Sequence, residues 1–305
     1  MISLLPRSLN FLRSMKHQAH IALNSSLRLK DKRYRFVSKL TPYFYESQKY
    51  EEDIYGVRFP NSSTFPVNHL AFHPMGEKQP SLSAPNQLFM IWAGDNALPP
   101  NRLRSIEVIR EFNLDLNVHL VTPNNLNEFV LPEHPLHKAY EKLSFIHRSD
   151  YLRAYLMHHH GGAYMDIKPM TVPWKPVIES LNADIDLWAA GPSEISSFNT
   201  SPAFGPLGID QRKHFSRILF QSAFAFKPGS SWTEEWLDEV ERRLSYFDNL
   251  LDTRRPKQPF GLNPEYPIPW SSIHGYVFGP LALKYSSRST IASDMKFSIG
   301  PNGYR

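Results

Sequence analysis

Asp150 and Arg153 stand three positions apart on a stretch, Phe145 to His160, whose pattern predicts a helix. That spacing puts both side chains on one helix face, where they can pair. The helix runs into Gly161-Gly162-Ala-Tyr164-Met-Asp166-Ile-Lys168. The glycines predict a helix stop and the apolar run a strand, so Asp166 and Lys168 fall at a strand end. Alone, an Asp/Arg pair supports its helix and an Asp at a strand end forms a turn. A carboxylate converging with Asp150 and Arg153 forms a ligand site instead, because a guanidinium fork suits both carboxylate and phosphate.

Such a site needs a scaffold. Leu88 to Gly94 is a continuous apolar run ending in glycine, which predicts a fully buried strand. Pro99-Pro100 opens a helix to about Phe112, with Ile106, Ile109 and Phe112 expected on one side. Leu116 to Val121 alternates as a second strand, Ala163 to Ile167 is a third, and Leu187–Ala190 and Gln221–Phe226 are further strands. Short helical pieces are expected around Asn125–Val130 and Pro135–Leu143. Ser231 or Thr233 is expected to cap a helix reaching about Phe247. The proline-rich last 50 residues are expected to wrap as loops. Strands alternating with helices predict an α/β fold with a mostly parallel sheet, whose ligands sit beyond the carboxyl ends of strands. Those ends are Trp92-Ala-Gly94-Asp95, Thr122-Pro123 and Asp166-Ile-Lys168.

Composition narrows the chemistry. The 305 residues are 41% hydrophobic and 21% charged, ordinary globular usage. The absence of cysteine excludes disulfides, thiolate metal sites and cysteine nucleophiles, and points to a reducing cytoplasm. The net charge is +5, yet Met1 to Gln48 carry nine Lys/Arg against Asp31 and Glu46, so the remaining chain is about −2. Positive charge confined to one end argues against nucleic acid as a partner. Residues 1–86 are therefore expected to form a basic helical extension followed by an irregular connector, and 87–305 the functional domain. No run is long enough to span a bilayer and no secretory signal is present. Arg7, Arg13, Lys16, Arg28 and Lys30, with apolar residues between them, suit peripheral contact with an anionic membrane.

Ile91-Trp92-x-Gly94, Ser149-Asp150-x-x-Arg153 and Gly161-Gly162-x-Tyr164-x-Asp166, in that order, resemble glycosyltransferases with the DXD sugar-binding region. That group includes fungal mannosyltransferases and bacterial capsular polysaccharide synthesis proteins. The resemblance covers about residues 87–190 and, more loosely, the chain to Tyr285. It implies a GT-A fold and transfer of a sugar from a nucleotide-sugar donor, a UDP- or GDP-sugar, to a glycan acceptor with retention. It also implies that Trp92 and Gly94 meet the nucleobase, since an aromatic face can stack on a base. Asp150 would bind ribose or sugar and Arg153 sugar or phosphate. Gly161 and Gly162 would admit the donor closely, with Tyr164 beside them.

The departure from the family pattern is Lys168, where a second acid is expected to hold a divalent cation on the diphosphate. Lys168 and Asp166 are the catalytic candidates. The lysine could neutralise the leaving diphosphate itself, with reduced dependence on Mn²⁺ or Mg²⁺. Alternatively Asp166 and His274, a late histidine of the kind some relatives place near the diphosphate, hold the ion. The third reading is a non-catalytic protein that binds sugar nucleotides or glycans on the same fold.

Three other motifs are set aside. His158-His159-His160 cannot converge on one ion, because adjacent helical side chains diverge by about 100°. Asp184-Ile-Asp186 has the DXD spelling but lacks the glycine turn, and reads as the approach to a strand. Lys227-Pro228-Gly229 reads as a plain strand-to-helix loop.

Overall fold

A computed structural model describes residues 26–54, 73–168, 173–201 and 205–295. The helix expected through residues 1–25 and the loops expected in 55–72 and 296–305 lie outside them.

Six strands form one sheet in the order β2-β1-β3-β5-β4-β6. They are β1 (Gln87–Ile91), β2 (Asn117–Val121), β3 (Gly162–Met165), β4 (Ala189–Gly191), β5 (Ala223–Phe226) and β6 (Ser289–Ile291). β1 lies parallel to β2 and β3, and β4 parallel to β6; β5, inserted between β3 and β4, is antiparallel to both. Five strands thus share one direction, and the sheet is mostly parallel as expected.

Period-two alternation splits the core between the two faces of the sheet. Phe89 and Ile91 of β1, Tyr164 of β3, and Phe224 and Phe226 of β5 point to one side. There they meet α3 (Phe145–His159), α6 (Ser231–Thr253) and α7 (Gly275–Lys284). Leu88, Met90, Ala163, Met165, Ala223 and Ala225 point to the other side. Ile106 and Ile109 of α2 (Pro100–Phe112) and Ile178 and Leu181 of α4 (Lys175–Ala183) cover them. Both faces are buried along β1, β3 and β5, which is why these strands read as unbroken apolar runs.

Several expectations are corrected. Phe112 is exposed, because steps of three residues rotate it about 120° from Ile106. The short helical pieces are single 3-10 turns, Leu126–Glu128 and Tyr140–Lys142. Ser230, not Ser231 or Thr233, caps α6, accepting from the Thr233 amide. The helix continues past Phe247 because Leu251 packs in the core and Asp248 receives Lys138 and Lys142, both at 2.8 Å. The C-terminal region is not all loop, since it supplies α7 and β6. α7 keeps Pro280 inside it, at a typical cost of about 3 kcal/mol, while Val277, Phe278, Leu281, Ala282 and Leu283 are fully buried. α4 and α5 (Gly205–Lys213) were not legible as helices.

The first described helix, α1, spans residues 26–40 and rests on the body through half-buried Leu27, Tyr34 and Val37 and a set of polar contacts. Ser38 Oγ bonds His214 Nδ1 at 3.1 Å, Arg217 donates to the Ser38 carbonyl at 2.9 Å, and Arg35 donates to the Ile195 carbonyl at 3.0 Å. Further on, Tyr50 is fully buried and donates to Asp210, which Lys49 also reaches. No helix among the described residues is long and apolar enough to cross a membrane.

Candidate functional site

α3 and β3 form a helix–turn–strand unit whose lengths bring the charged residues level. Ser144 caps α3, its hydroxyl accepting from the His147 amide. At the other end the His160 and Gly161 amides both donate to the Leu156 carbonyl, at 2.8 and 3.0 Å. Gly161 and Gly162 then reverse the chain with φ of +64° and +85°. Arg153 is eight residues back along the helix and Asp166 four forward along the strand, about 12 and 13 Å from the turn respectively. The two therefore meet.

Arg153 Nη2 lies 3.2 Å from Asp166 Oδ1, and Nη1 lies 3.5 Å from Asp150 Oδ1. The guanidinium carbon sits 4.9 Å from the Tyr164 ring centre, and the Tyr164 hydroxyl donates to Asp166 Oδ1 at 2.8 Å. Lys168 Nζ donates to Asp166 Oδ2 at 3.1 Å. Arg102 of α2 donates to the Ile167 carbonyl, bringing a third cation beside Lys168. The Asp166, Lys168 and Arg153 side chains keep 18, 17 and 13% of their surface exposed, so a ligand can reach them.

The two carboxylates are pushed apart in acidity. Burial raises Asp150 to about 7, reinforced by Asp166 and opposed by Arg153. Burial would raise Asp166 too, but Arg153, Lys168 and the hydrogen bonds from Tyr164 and Lys168 outweigh it and hold Asp166 at about 2. Burial lowers Lys168 against the pull of Asp166. Near neutrality the edge therefore holds three cations, one firmly ionised carboxylate and one acid that can gain or lose a proton.

A second set of residues completes the wall. β5 starts where β3 ends, and the Asp166 amide donates to the Ser222 carbonyl at 2.9 Å. The neighbouring Gln221 carbonyl accepts from Arg153 Nη1 at 3.4 Å and from His274 Nε2 at 3.0 Å. The Gln221 amide donates to Glu194 Oε1 at 3.3 Å. Burial, then nearby Arg153, lowers His274 to about 3, so it is neutral and its Nδ1 carries no proton. Burial raises Glu194 to about 8. His274 Nδ1, Glu194 Oε2 and Arg153 Nε are all buried without a protein hydrogen-bond partner. Glu194, Gln221 and Arg102 escaped the sequence reading. The available signal for Glu194 was an acid just beyond an apolar strand, Leu187 to Gly191.

The expected residues do not all gather. Asp150, Arg153, Tyr164, Asp166 and Lys168 form one contact network, with His274 joined through Gln221. Trp92 and Gly94 follow the same end of β1, where Trp92 Nε1 donates to the Asn96 carbonyl at 2.7 Å. A side chain on Gly94 would collide with Asn96 and Phe145. Gly161 and Gly162 lie at the opposite, amino end of β3. Their backbone turn, and close packing on Pro228 and Gln87, demand glycine there. The structure does not bring them to the site as donor contacts.

The histidine run splits three ways: His158 to Thr233, His159 onto the His134 ring, His160 to the Phe129 carbonyl. Lys227 donates to the Asp184 carbonyl and Asp186 pairs with Arg288, so both motifs serve loops.

The metal expectation meets an unfavourable donor set. Both Asp166 oxygens already face cationic or hydroxyl donors, and His274 spends Nε2 on a carbonyl. Among the described residues no three His, Cys, Asp or Glu side chains gather into a metal-ligand set. As arranged, Asp166 is engaged by the chain's own cations, whereas His274 Nδ1 keeps a ligand position open.

No curated protein matches the chain. A solved structure of the PaToxG glycosyltransferase is similar at 12% identity and a TM-score of 0.38, covering 68% of this chain and 69% of that one. Residues 69–180, which include β1, α3, Asp150, Arg153, Asp166 and Lys168, match the capsular polysaccharide synthesis protein family.

Proposed function

We propose that the chain is a glycosyltransferase of GT-A type that takes a sugar from a UDP- or GDP-sugar and passes it to a glycan hydroxyl with retention. The observation that carries this reading is Asp166 clasped between Arg153 and Lys168 at the carboxyl edge of the sheet. It lies within the stretch that matches the capsule-synthesis family. Three cations around one ionised carboxylate leave excess positive charge, which suits a diphosphate. Fixed charges in a partly dry cleft stabilise a leaving group without reorganising.

In this reading the bond from the anomeric carbon to the diphosphate oxygen breaks, and its electron pair leaves with the phosphate. Lys168 and Arg153 offset that charge. The acceptor oxygen bonds to the anomeric carbon from the leaving-group face, and its proton passes to the departing phosphate oxygen. Asp150 binds a sugar or ribose hydroxyl, and Trp92 stacks on the base. Charge stabilisation is assigned to side chains, which agrees with reduced dependence on Mn²⁺ or Mg²⁺.

The test is a thermal-shift panel of UDP, GDP, CMP and dTDP sugars, with Mn²⁺ or with EDTA, followed by donor hydrolysis without acceptor. A donor that binds the folded state raises the melting temperature by mass action. A shift with one nucleotide class and slow turnover supports the proposal. A shift without turnover supports the non-catalytic alternative, and no shift with any sugar nucleotide overturns both.

A further inference from the structure

α1 carries a second apolar row on its solvent side, one that packing on its own protein does not use. At 100° per residue, Leu29, Phe36 and Leu40 fall within about 40° of one another. They are 67, 65 and 66% exposed, and Phe44 just beyond the helix is 76% exposed. The side facing the body is mixed: Leu27, Tyr34 and Val37 are half-buried there beside the buried Ser38. Ser38 and Arg35 make the contacts described above, and Asp31 accepts from the Ser197 amide at 3.1 Å. Leaving four large apolar side chains in water costs free energy unless something covers them.

The charges around the apolar face say what covers it. Residues 26–40 carry six Lys/Arg and one acid, and that acid, Asp31, is turned inward. Lys32 and Lys39 flank the apolar row on one side and Arg33 on the other, all exposed. We infer that this helix docks on an anionic lipid bilayer, with Leu29, Phe36, Leu40 and Phe44 entering the headgroup boundary and the flanking cations meeting lipid phosphates. Segments of the same chain are poor occupants. Residues 1–25 carry Arg7, Arg13 and Lys16 with no acid, and residues 55–72 carry Arg58 with no acid. A second copy would likewise bring like charge to like charge. The inward contacts to Ile195 and Ser197 tie the helix to the segment leaving Glu194, so the docked surface is joined directly to one wall of the candidate site. This inference stands apart from the sugar-transfer reading, because it rests on the exposed face of α1.

The chain has no cysteine, so a single introduced one reports on one place. The full chain carrying Phe36→Cys or, as control, Leu114→Cys is labelled with a polarity-sensitive fluorophore. Each is mixed with phosphatidylcholine vesicles with and without phosphatidylserine, at low and physiological salt. Leu114 is 85% exposed and lies in the turn between α2 and β2, away from α1. Docking shifts the position-36 dye to the blue only with phosphatidylserine, leaves the position-114 dye unchanged, and weakens as salt screens charge over about 10 Å. Leu29→Ser with Phe36→Ser and Leu40→Ser removes apolar groups that touch solvent. The melting temperature should hold while vesicle flotation falls at least about tenfold. Lys32→Glu with Lys39→Glu should reduce flotation similarly. Flotation that survives the triple substitution, no binding to phosphatidylserine vesicles, or a blue shift that follows protein concentration without lipid overturns the inference.

Discussion

Asp166→Asn removes the one firmly ionised carboxylate from a cluster of cations, and the structure sets the size of the loss. Asp166 sits at about 2 against an ordinary value of 3.8. Each unit corresponds to about 1.4 kcal/mol, so the ionised carboxylate contributes about 2 kcal/mol of stability near neutrality. The asparagine also removes the counter-charge that Lys168 and Arg153 share in a largely buried place, leaving Asp150 to Arg153, and raises the expected loss to roughly 2–4 kcal/mol. The folded-state value is depressed, so this stability is present above the ordinary carboxylate range and is lost as pH falls towards about 2. Urea denaturation of parent and variant should show a full gap at pH 7, shrinking to about half by pH 3. The variant should also lower the Asp150 value from about 7, because Asp166 is one of the charges raising it. A loss below about 0.5 kcal/mol at pH 7, within ordinary surface-substitution noise, would refute the clasp. So would a gap that stays constant on acidification.

Lys168→Ala should weaken donor hydrolysis about 10²-fold or more, the usual cost of one charge-stabilising group. Lys168→Asp should create dependence on Mn²⁺; full activity of Lys168→Ala with inactivation by EDTA would make the lysine a bystander. Glu194→Gln should change the pH dependence of stability. The raised value means the parent loses stability as pH climbs from the ordinary glutamate range through about 8, by up to about 1.4 kcal/mol per unit. The variant should lack that decline above pH 6.5, and an unchanged slope would argue that Glu194 is ionised. Gly162→Ala should cost roughly 1–3 kcal/mol, because its φ is +85° and a Cβ would lie 2.6 Å from Gln87 Cγ. Its nucleotide-sugar thermal shift should match the parent, because the glycine sits at the far edge; loss of that shift with stability intact would return Gly162 to the donor contacts.

Local rules account for what was legible in the residues alone. The run Leu88 to Ile91 could only be a strand buried on both faces. The pattern from Phe145 to His160 and the glycine pair delimited a helix and its reversal almost to the residue. Three-residue spacing placed Asp150 beside Arg153, and the lengths of helix and strand brought Asp166 level with them. Each of these depends on contacts within about 20 residues of chain. Tertiary packing decided the rest. The reversed direction of β5 leaves no mark on its own apolar pattern, because a strand buried on both faces reads the same either way. Yet that reversal delivers Gln221 to the edge where Asp166 ends. Through it Glu194 and His274, 80 residues apart in number, act on one backbone unit. α7 is a helix despite Pro280 because the core around it outweighs a missing hydrogen bond. Whether Lys168 faces Asp166 or solvent, and which face of α1 meets the body, follow from the partners supplied by other layers. Periodicity reports how much of an element is buried; only the stacking of those layers determines against what.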